Sequence, residues 1–371
     1  MTKAKSIFKK SIMYLLVFCM TVCSMILIMP ANTFNASAQE YNLDSFPSSF
    51  TAGNTYNIKL KADVTRDSKL PTIPANCTVN LNLNNHKVLL KHVHADPTDS
   101  FDICTENYTS HNNKYMGFIT NNGTLNMTGS GTFKLLAVDY NGKLNNGKSK
   151  DNLMAKGAAI VNNGTLTVGA GVTVESDMTV TITKDGSNWL QKSEKADLFV
   201  YSFAIRNTGT VNTSGTIKCG VLAMSQAGGE GVSCHMATGY GIYGGTVNVL
   251  GGNIITEAMS GAGNSTSGCN EGNVMWQMAV GICSNNVTVS GVANINTKTT
   301  NWMSVKDNDC WKSGKSYQFS VGILYDGVNY PKVGPGCNIT SSWQGANEVV
   351  INVPGAKEEG HDLYYTVKMA D

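Results

Sequence analysis

The stretch with the most chemistry-bearing side chains is "KHVHADPTDSFDICTEN", residues 91–107, which holds His92, His94, Asp96, Asp99, Asp102 and Glu106. Carboxylate oxygens at short intervals suit calcium, and a His-x-His pair suits a transition metal. The spacing matches no calcium-loop pattern, and a solvated polar loop has the same composition. A metal, calcium first, is therefore an expectation on His92, His94, Asp96, Asp99 and Asp102; no other cofactor is expected. Acid–base hydrolysis of a glycoside needs two carboxylates about 5–9.5 Å apart. Asp139 with Asp177 or Glu175 are pairs that would meet only if neighbouring repeats stack suitably. No catalytic residue is assigned. Cys234 precedes His235, but an adjacent Cys-His pair is no protease signature, and no Cys-x-x-Cys spacing exists.

Aromatic residues give a second chemistry. Four of the five tryptophans, Trp189, Trp276, Trp302 and Trp311, fall with Tyr140, Tyr201 and Tyr317 in the variable parts of the chain. A Trp or Tyr offers a flat apolar face with a polar edge, which suits the apolar face of a sugar ring. The same residues also make small cores under long loops.

What must position these residues is a repeat. "FITNNGTLNM", "AIVNNGTLTV", "AIRNTGTVNT", "GIYGGTVNVL" and "GICSNNVTVS" share one corner, each preceded by an isoleucine. These are Ile119, Ile160, Ile205, Ile242 and Ile282, with a weaker echo at Ile323. A period near 40 residues signals a solenoid, propeller or array. Each repeat holds three short alternating runs. In one, Ile160, Leu166, Val168, Val172 and Val174 face one side, with Thr167 and Thr173 opposite. Three strands of three or four residues make one coil of a solenoid, whereas a propeller blade needs four longer strands in hairpins. Asn and Gly tolerate the left-handed backbone of a sharp bend, and equivalent Asn121, Asn162, Asn207 and Ser284 are expected to form a hydrogen-bonded ladder. Each coil needs about 20 residues. The surplus at 92–116, 137–156, 177–201, 220–238, 258–278 and 298–319 should emerge along one edge and form a loop wall.

Gly is abundant and Pro sparse, as in an all-β chain with many turns. Residues 1–38 read as a secretory signal: four lysines, an apolar run, then Ala36-Ser37-Ala38. Their removal takes the net charge from +2 to −2. Arginine is confined to Arg66 and Arg206. Nucleic acid and bidentate phosphate or carboxylate clamps are therefore disfavoured. Eight cysteines remain, and export predicts a disulfide among them, with buried thiols as the alternative.

The segment "YNIKLKADVTRDSKLPTIPANCTVNLNLNNHKVLLKH" sets Val79, Leu81 and Leu83 on one face. It resembles the opening coil of secreted right-handed parallel β-helix proteins of the pectin-lyase-like superfamily. That coil reads D-V-T, I-P, T-V-x-L-x-L-N-x-H. Here it is Asp63-Val64-Thr65, Ile73-Pro74, Thr78-Val79, Leu81, Leu83-Asn84 and His86, with Asn85 where Gly is commoner. The "GTLT" and "GTVNV" runs look like the same superfamily's rungs, and the resemblance spans residues 55–330. It implies an all-β, right-handed single-stranded parallel β-helix of six to eight coils. Residues 39–54 would form an N-terminal cap, and 331–371 a C-terminal cap or the start of a β module. The superfamily's lyases set acids on calcium beside an Arg or Lys base. Arg206 should point outward, but its equivalent slots hold Val161 and Tyr243, and the hydrolase signatures N-T-D, D-D, G-H-G and R-I-K are absent. The expectation is a binding protein, monomeric and extracellular. It is released or held non-covalently at the cell surface, is not stably inserted in a membrane, and presents aromatic loops to a polysaccharide or surface glycan. A polysaccharide lyase or hydrolase with an unfamiliar site is the alternative, and a structural spacer a third.

Overall fold

A computed structural model describes residues 39–41, 47–94, 116–139, 153–182, 196–225, 232–262, 274–303, 315–325, 329–344, 349–359 and 364–366. The predicted signal, residues 1–38, lies outside them, and Glu40–Asp371 is one compact unit. Among the described residues every regular element is a strand, and the strands form three sheets. From residue 55 on, the first sheet holds Thr55–Leu60, Thr78–Asn82, Thr124–Thr128, Thr165–Val168, Thr210–Thr213, Thr246–Val249, Asn286–Val289 and Lys332–Val333. The second holds Val64–Arg66, His86–His94, Gly131–Asp139, Val172–Ile182, Thr216–Ser225, Gly252–Ala262, Ala293–Met303 and Cys337–Gln344. The third holds Met116–Asn121, Leu153–Asn162, Ala196–Asn207, Val232–Tyr243, Val274–Cys283, Lys315–Tyr325, Val349–Glu359 and Tyr364–Thr366. The chain visits the sheets in a fixed rotation, as a solenoid does. Each strand pairs in parallel with its equivalents one repeat away, for example Thr165–Val168 with both Thr124–Thr128 and Thr210–Thr213. Val349–Glu359 with Tyr364–Thr366 is antiparallel.

The core follows from the alternation. Ile119, Ile160, Ile205, Ile242, Ile282 and Ile323 lie opposite one another in unbroken register, and all six are buried. Leu125, Leu166, Val211, Val247 and Val287 stack in the same way from the first sheet, and Phe133, Val174, Ile217, Ile254 and Ile295 from the second. Burying each such side chain is worth about 1.5–3 kcal/mol, so the interior is one continuous apolar column.

The corner works as a ladder, but its glycine serves a different purpose from the one expected. Asn121 Nδ2 donates to Asn162 Oδ1 at 2.7 Å, and Asn162 Nδ2 donates to Asn207 Oδ1 at 2.7 Å. The same amides also bond Thr165 and Thr210 carbonyls. Among the described residues, Asn121, Asn162, Asn207, Gly123, Gly164 and Gly209 do not have positive φ. Gly is needed because coils approach closely there: a Cβ on Gly209 would stand 2.0 Å from the Gly164 carbonyl oxygen. The ladder stops at the next repeat. Gly245, with φ 62°, occupies the space, and a Cβ there would meet Asn207 Nδ2 at 2.2 Å. Ser284 Oγ donates to the Gly245 carbonyl at 2.5 Å.

The strands of the second and third sheets run much longer than the three or four residues expected. Val172–Ile182 has 11 residues and Ala196–Asn207 has 12. The predicted inserts continue the alternation of the strands beside them, as in "SDMTV" and "FVYSF", and parallel neighbours of equal length satisfy their backbones. Beyond the three-sided core the two sheets therefore face each other. The segments 95–115, 140–152, 183–195, 226–231, 263–273 and 304–314, outside the described residues, each join a second-sheet strand to the next third-sheet strand.

The layer between these two sheets changes character along the stack. One inward column reads Leu90, Leu135, Ser176, Cys219, Thr256, Thr297. The column of the third sheet that meets it reads Ser202, Gly239, Ala279, Ser320, and the next inward column, two residues away, reads Val200, Ala237, Gln277, Gln318. Ser176 Oγ and Ser202 Oγ share a hydrogen bond of 2.9 Å, Gln277 Nε2 donates to Ser260 Oγ, and Ser320 Oγ donates to Thr297 Oγ1 at 2.9 Å. Thr256 Oγ1, Thr299 Oγ1 and Gln277 Oε1 are buried with no protein partner.

Within residues 331–371, expected as a cap or a new β module, Lys332–Val333, Cys337–Gln344 and Val349–Glu359 add one parallel strand to each sheet in turn. The predicted disulfide is not found among Cys77, Cys219 and Cys337, which are thiols. Burial pushes the Cys219 thiol up to about 12 and raises Cys77 and Cys337 as well, so these pack as small apolar groups. Cys104, Cys269, Cys310 and the side chain of Cys234 lie outside the described residues.

Replacing Asn162 with Ala removes the middle of the ladder and leaves buried corner groups on two coils unpaired. Each orphaned group costs about 1–3 kcal/mol, so urea unfolding of Asn162→Ala should show a loss of that order or more. Substituting exposed Asn163 with Ala should change the midpoint little.

Candidate functional site

The outer face of the third sheet carries apolar and aromatic residues, most of them buried. Alternation turns Val200 and Ser202 toward the second sheet and Phe199, Tyr201 and Phe203 away from it. Register carries these positions along the stack. Phe203 lies opposite Tyr240, then Val280 and Val321; Tyr201 opposite Thr238, then Met278 and Phe319; Phe199 opposite Met236, then Trp276. Val280, Val321 and Leu324 form a buried cluster separate from the main core, with Tyr240, Met278 and Cys283 packed against it.

The rings are fixed by one another. Phe203 and Tyr240 stack with centroids 5.2 Å apart and planes 6° apart, and Trp276 and Phe319 stack at 5.5 Å and 8°. Rings stacked across rungs spend their faces on their neighbours and turn their edges outward. Tyr243 differs. It meets Phe203 and Tyr240 edge-on, at 73° and 69°, and is 38% exposed. Arg206 is its register partner on the preceding coil, with Val161 on the other side, as expected from the sequence. Tyr201 is half-buried; its hydroxyl donates to Met236 Sδ at 3.3 Å, and the Lys156 ammonium stands 5.8 Å from its ring centroid.

Of the expected platforms, Trp276 and Tyr201 therefore share the third sheet, and Tyr317 lies on a strand of the same sheet. Trp302 lies on Ala293–Met303, in the second sheet, so these aromatics do not converge on one sheet. Trp189, Trp311 and Tyr140 lie outside the described residues. His92 and His94 belong to the strand His86–His94, while Asp96, Asp99 and Asp102 lie outside the described residues. Among the described residues no group of three or more His, Cys, Asp or Glu could hold a metal ion. Tyr240 and Tyr243 are not among the expected platforms because "GYGIYGG" belongs to the repeat itself and not to a surplus segment. The signal was present: an aromatic two residues before the stacked isoleucine and another just after it.

The outer face of the second sheet carries the charged cluster. Lys134 lies opposite Glu175, and Asp177 follows two residues on, so all three share one face. Lys134 Nζ donates to Glu175 Oε1 at 2.9 Å and to Asp177 Oδ2 at 3.2 Å. Burial draws the lysine pKa down, but hydrogen bonds and charge from Glu175 and Asp177 more than offset this and hold it above the ordinary lysine value.

Comparisons with protein-family models, with curated proteins and with solved structures find no match for this chain.

Because the folded state raises the Lys134 pKa, its contribution to stability is complete below the ordinary lysine value and fades as pH rises through the folded-state value. In urea titrations the advantage of wild type over Lys134→Met should be constant around neutrality and shrink in strong alkali. An advantage that grows with alkalinity would contradict the pairing.

Proposed function

We propose that the chain is an exported right-handed parallel β-helix of about eight coils, of the pectin-lyase-like kind, that binds a glycan through the outer face of its third sheet. Right-handedness is supported by the near-universal hand of parallel crossovers. The opening coil, Asp63-Val64-Thr65 to His86, and the "GTLT" rungs support the superfamily. Export follows from the basic and apolar character of residues 1–38, which favours an extracellular or surface-associated monomer.

The observation that carries the binding reading is Tyr243. It is a tyrosine 38% exposed on an otherwise packed aromatic face, braced by Phe203 and Tyr240, with Arg206 opposite in register. A tyrosine ring suits the C–H side of a pyranose, and bracing by neighbouring rings lowers the entropic cost of holding it there. Half-buried Tyr201, two residues before Phe203 on the same strand, gives a second contact. No described position in the outer register series of Phe199, Tyr201, Phe203 and Arg206 between Lys156 and Leu324 holds a carboxylate, so neutral or acidic sugars are favoured over basic ones.

A second reading, an enzyme, draws on Glu175 and Asp177. Both bond one ammonium, at 2.9 and 3.2 Å, so their carboxylates lie close together, and retaining glycosidases use a pair about 5–5.5 Å apart. The raised Lys134 pKa weighs against a lyase, because a base must be unprotonated to act.

Glycan-array binding of the exported chain should fall about tenfold or more in Tyr243→Ala and be unchanged in Lys134→Met. Release of reducing ends from the bound glycan, lost in Glu175→Gln, would replace the binding reading with the hydrolytic one.

A further inference from the structure

The first sheet has a patterned outer face of its own, and neither reading above uses it. The side chains pointing away from the core fall into two columns. One runs Thr78, Thr124, Thr165, Thr210, Thr246, each opposite the next. The other, two residues on, runs Asn80, Asn126, Thr167, Asn212, Asn248. Thr55 and Asn57 extend the columns at one end, and Asn286 and Thr288 at the other.

These side chains hold fixed positions. Threonine is stiff at χ1. The asparagines are tied along their column: Asn80 Nδ2 donates to Asn57 Oδ1 at 2.8 Å, Asn126 Nδ2 to Asn80 Oδ1 at 2.9 Å, and Asn248 Nδ2 to Asn212 Oδ1 at 2.9 Å. Strand spacing sets one repeat at ~4.8 Å, and the two-residue rise sets the other at ~6.6 Å. The result is a two-dimensional net of hydroxyls, methyls and amides.

The chemistry of the net narrows its occupant. From Thr55 to Thr288 neither column holds a charged residue, so a polyanion or a charged surface has nothing to pair with. Neither column holds an aromatic ring for a sugar to stack on. Two columns over seven rungs cover a few hundred Å² at most, below the roughly 800 Å² per partner of a stable protein interface. What remains is a partner that is itself a hydrogen-bonded net of closely similar repeat. Hexagonal ice has such a repeat on its prism face. We infer that the outer face of the first sheet binds ice. Its hydroxyl and amide groups anchor a layer of water at ice-like positions, and the threonine methyls seat between those waters.

The test is thermal hysteresis and crystal shape, read by nanolitre osmometry on the purified exported chain. Wild type should facet growing crystals and open a gap between melting and freezing. The gap should fall at least fivefold in Thr165→Lys/Thr210→Lys, which breaks the net with two charges, and in Thr124→Tyr, which breaks it with bulk. Lys87→Gln, on the second sheet, should leave it unchanged. Circular dichroism identifies which variants keep the β spectrum, and either folded variant decides the matter. Round crystals with no gap in wild type overturn the proposal, as does a gap that survives in a folded face variant. Co-sedimentation with an insoluble crystalline polysaccharide, lost in the same variants while ice goes unshaped, would also overturn it.

Discussion

Each residue in this solenoid sits on its own equivalent one repeat away, in parallel register, and everything else depends on that constraint. Parallel stacking turns a residue choice in one repeat into a column through the molecule. An apolar choice gives the buried isoleucine column from Ile119 to Ile323. An amide gives the ladder from Asn121 to Asn207, which satisfies corner carbonyls that would otherwise be buried unpaired. A hydroxyl gives the threonine column on the first sheet. One register slip would invert every face at once, so the corner, which fixes where each strand begins, carries much of the specificity.

That logic explains what could be read from the sequence. The isoleucine spacing and the period-two alternation are local and survive without knowledge of neighbours. The core positions and the ladder from Asn121 to Asn207 were therefore legible, whereas Ser284, expected on the same ladder, bonds the Gly245 carbonyl instead. Strand length was not legible. Whether "SDMTVTI" stays extended depends on a partner of equal length on both sides, which the coil next door supplies and a single repeat does not reveal. The role of the corner glycine was hidden for the same reason. Its constraint is the carbonyl of the adjacent coil at Gly123 or Gly164, not its own backbone angle.

The aromatic residues teach the complementary point. Composition marked them as sugar platforms, but stacking in register lets rings satisfy one another, as Phe203 does with Tyr240 and Trp276 with Phe319. A ring whose two faces meet neighbouring rungs is part of the packing. Tyr243 differs: Phe203 and Tyr240 meet it edge-on, it stays 38% exposed, and Gly244, with φ 85°, turns the chain directly after it. Lys134 shows the same economy on the second sheet, where one ammonium serves carboxylates on a neighbouring strand and so joins two coils.

The drift from Leu90 and Leu135 to Thr256 and Thr297 between the second and third sheets sets an order of disassembly. In a one-dimensional stack each coil is held by its two neighbours, so cohesion is a sum of local terms. Early coils are glued by methyl and methylene groups, later ones by hydroxyls and amides of which several lack partners. The molecule is thus a zipper with a weak end. Local opening is expected first in the coils around Gln277 and Gln318 and last around Phe133, which stacks on Phe118 inside the apolar column.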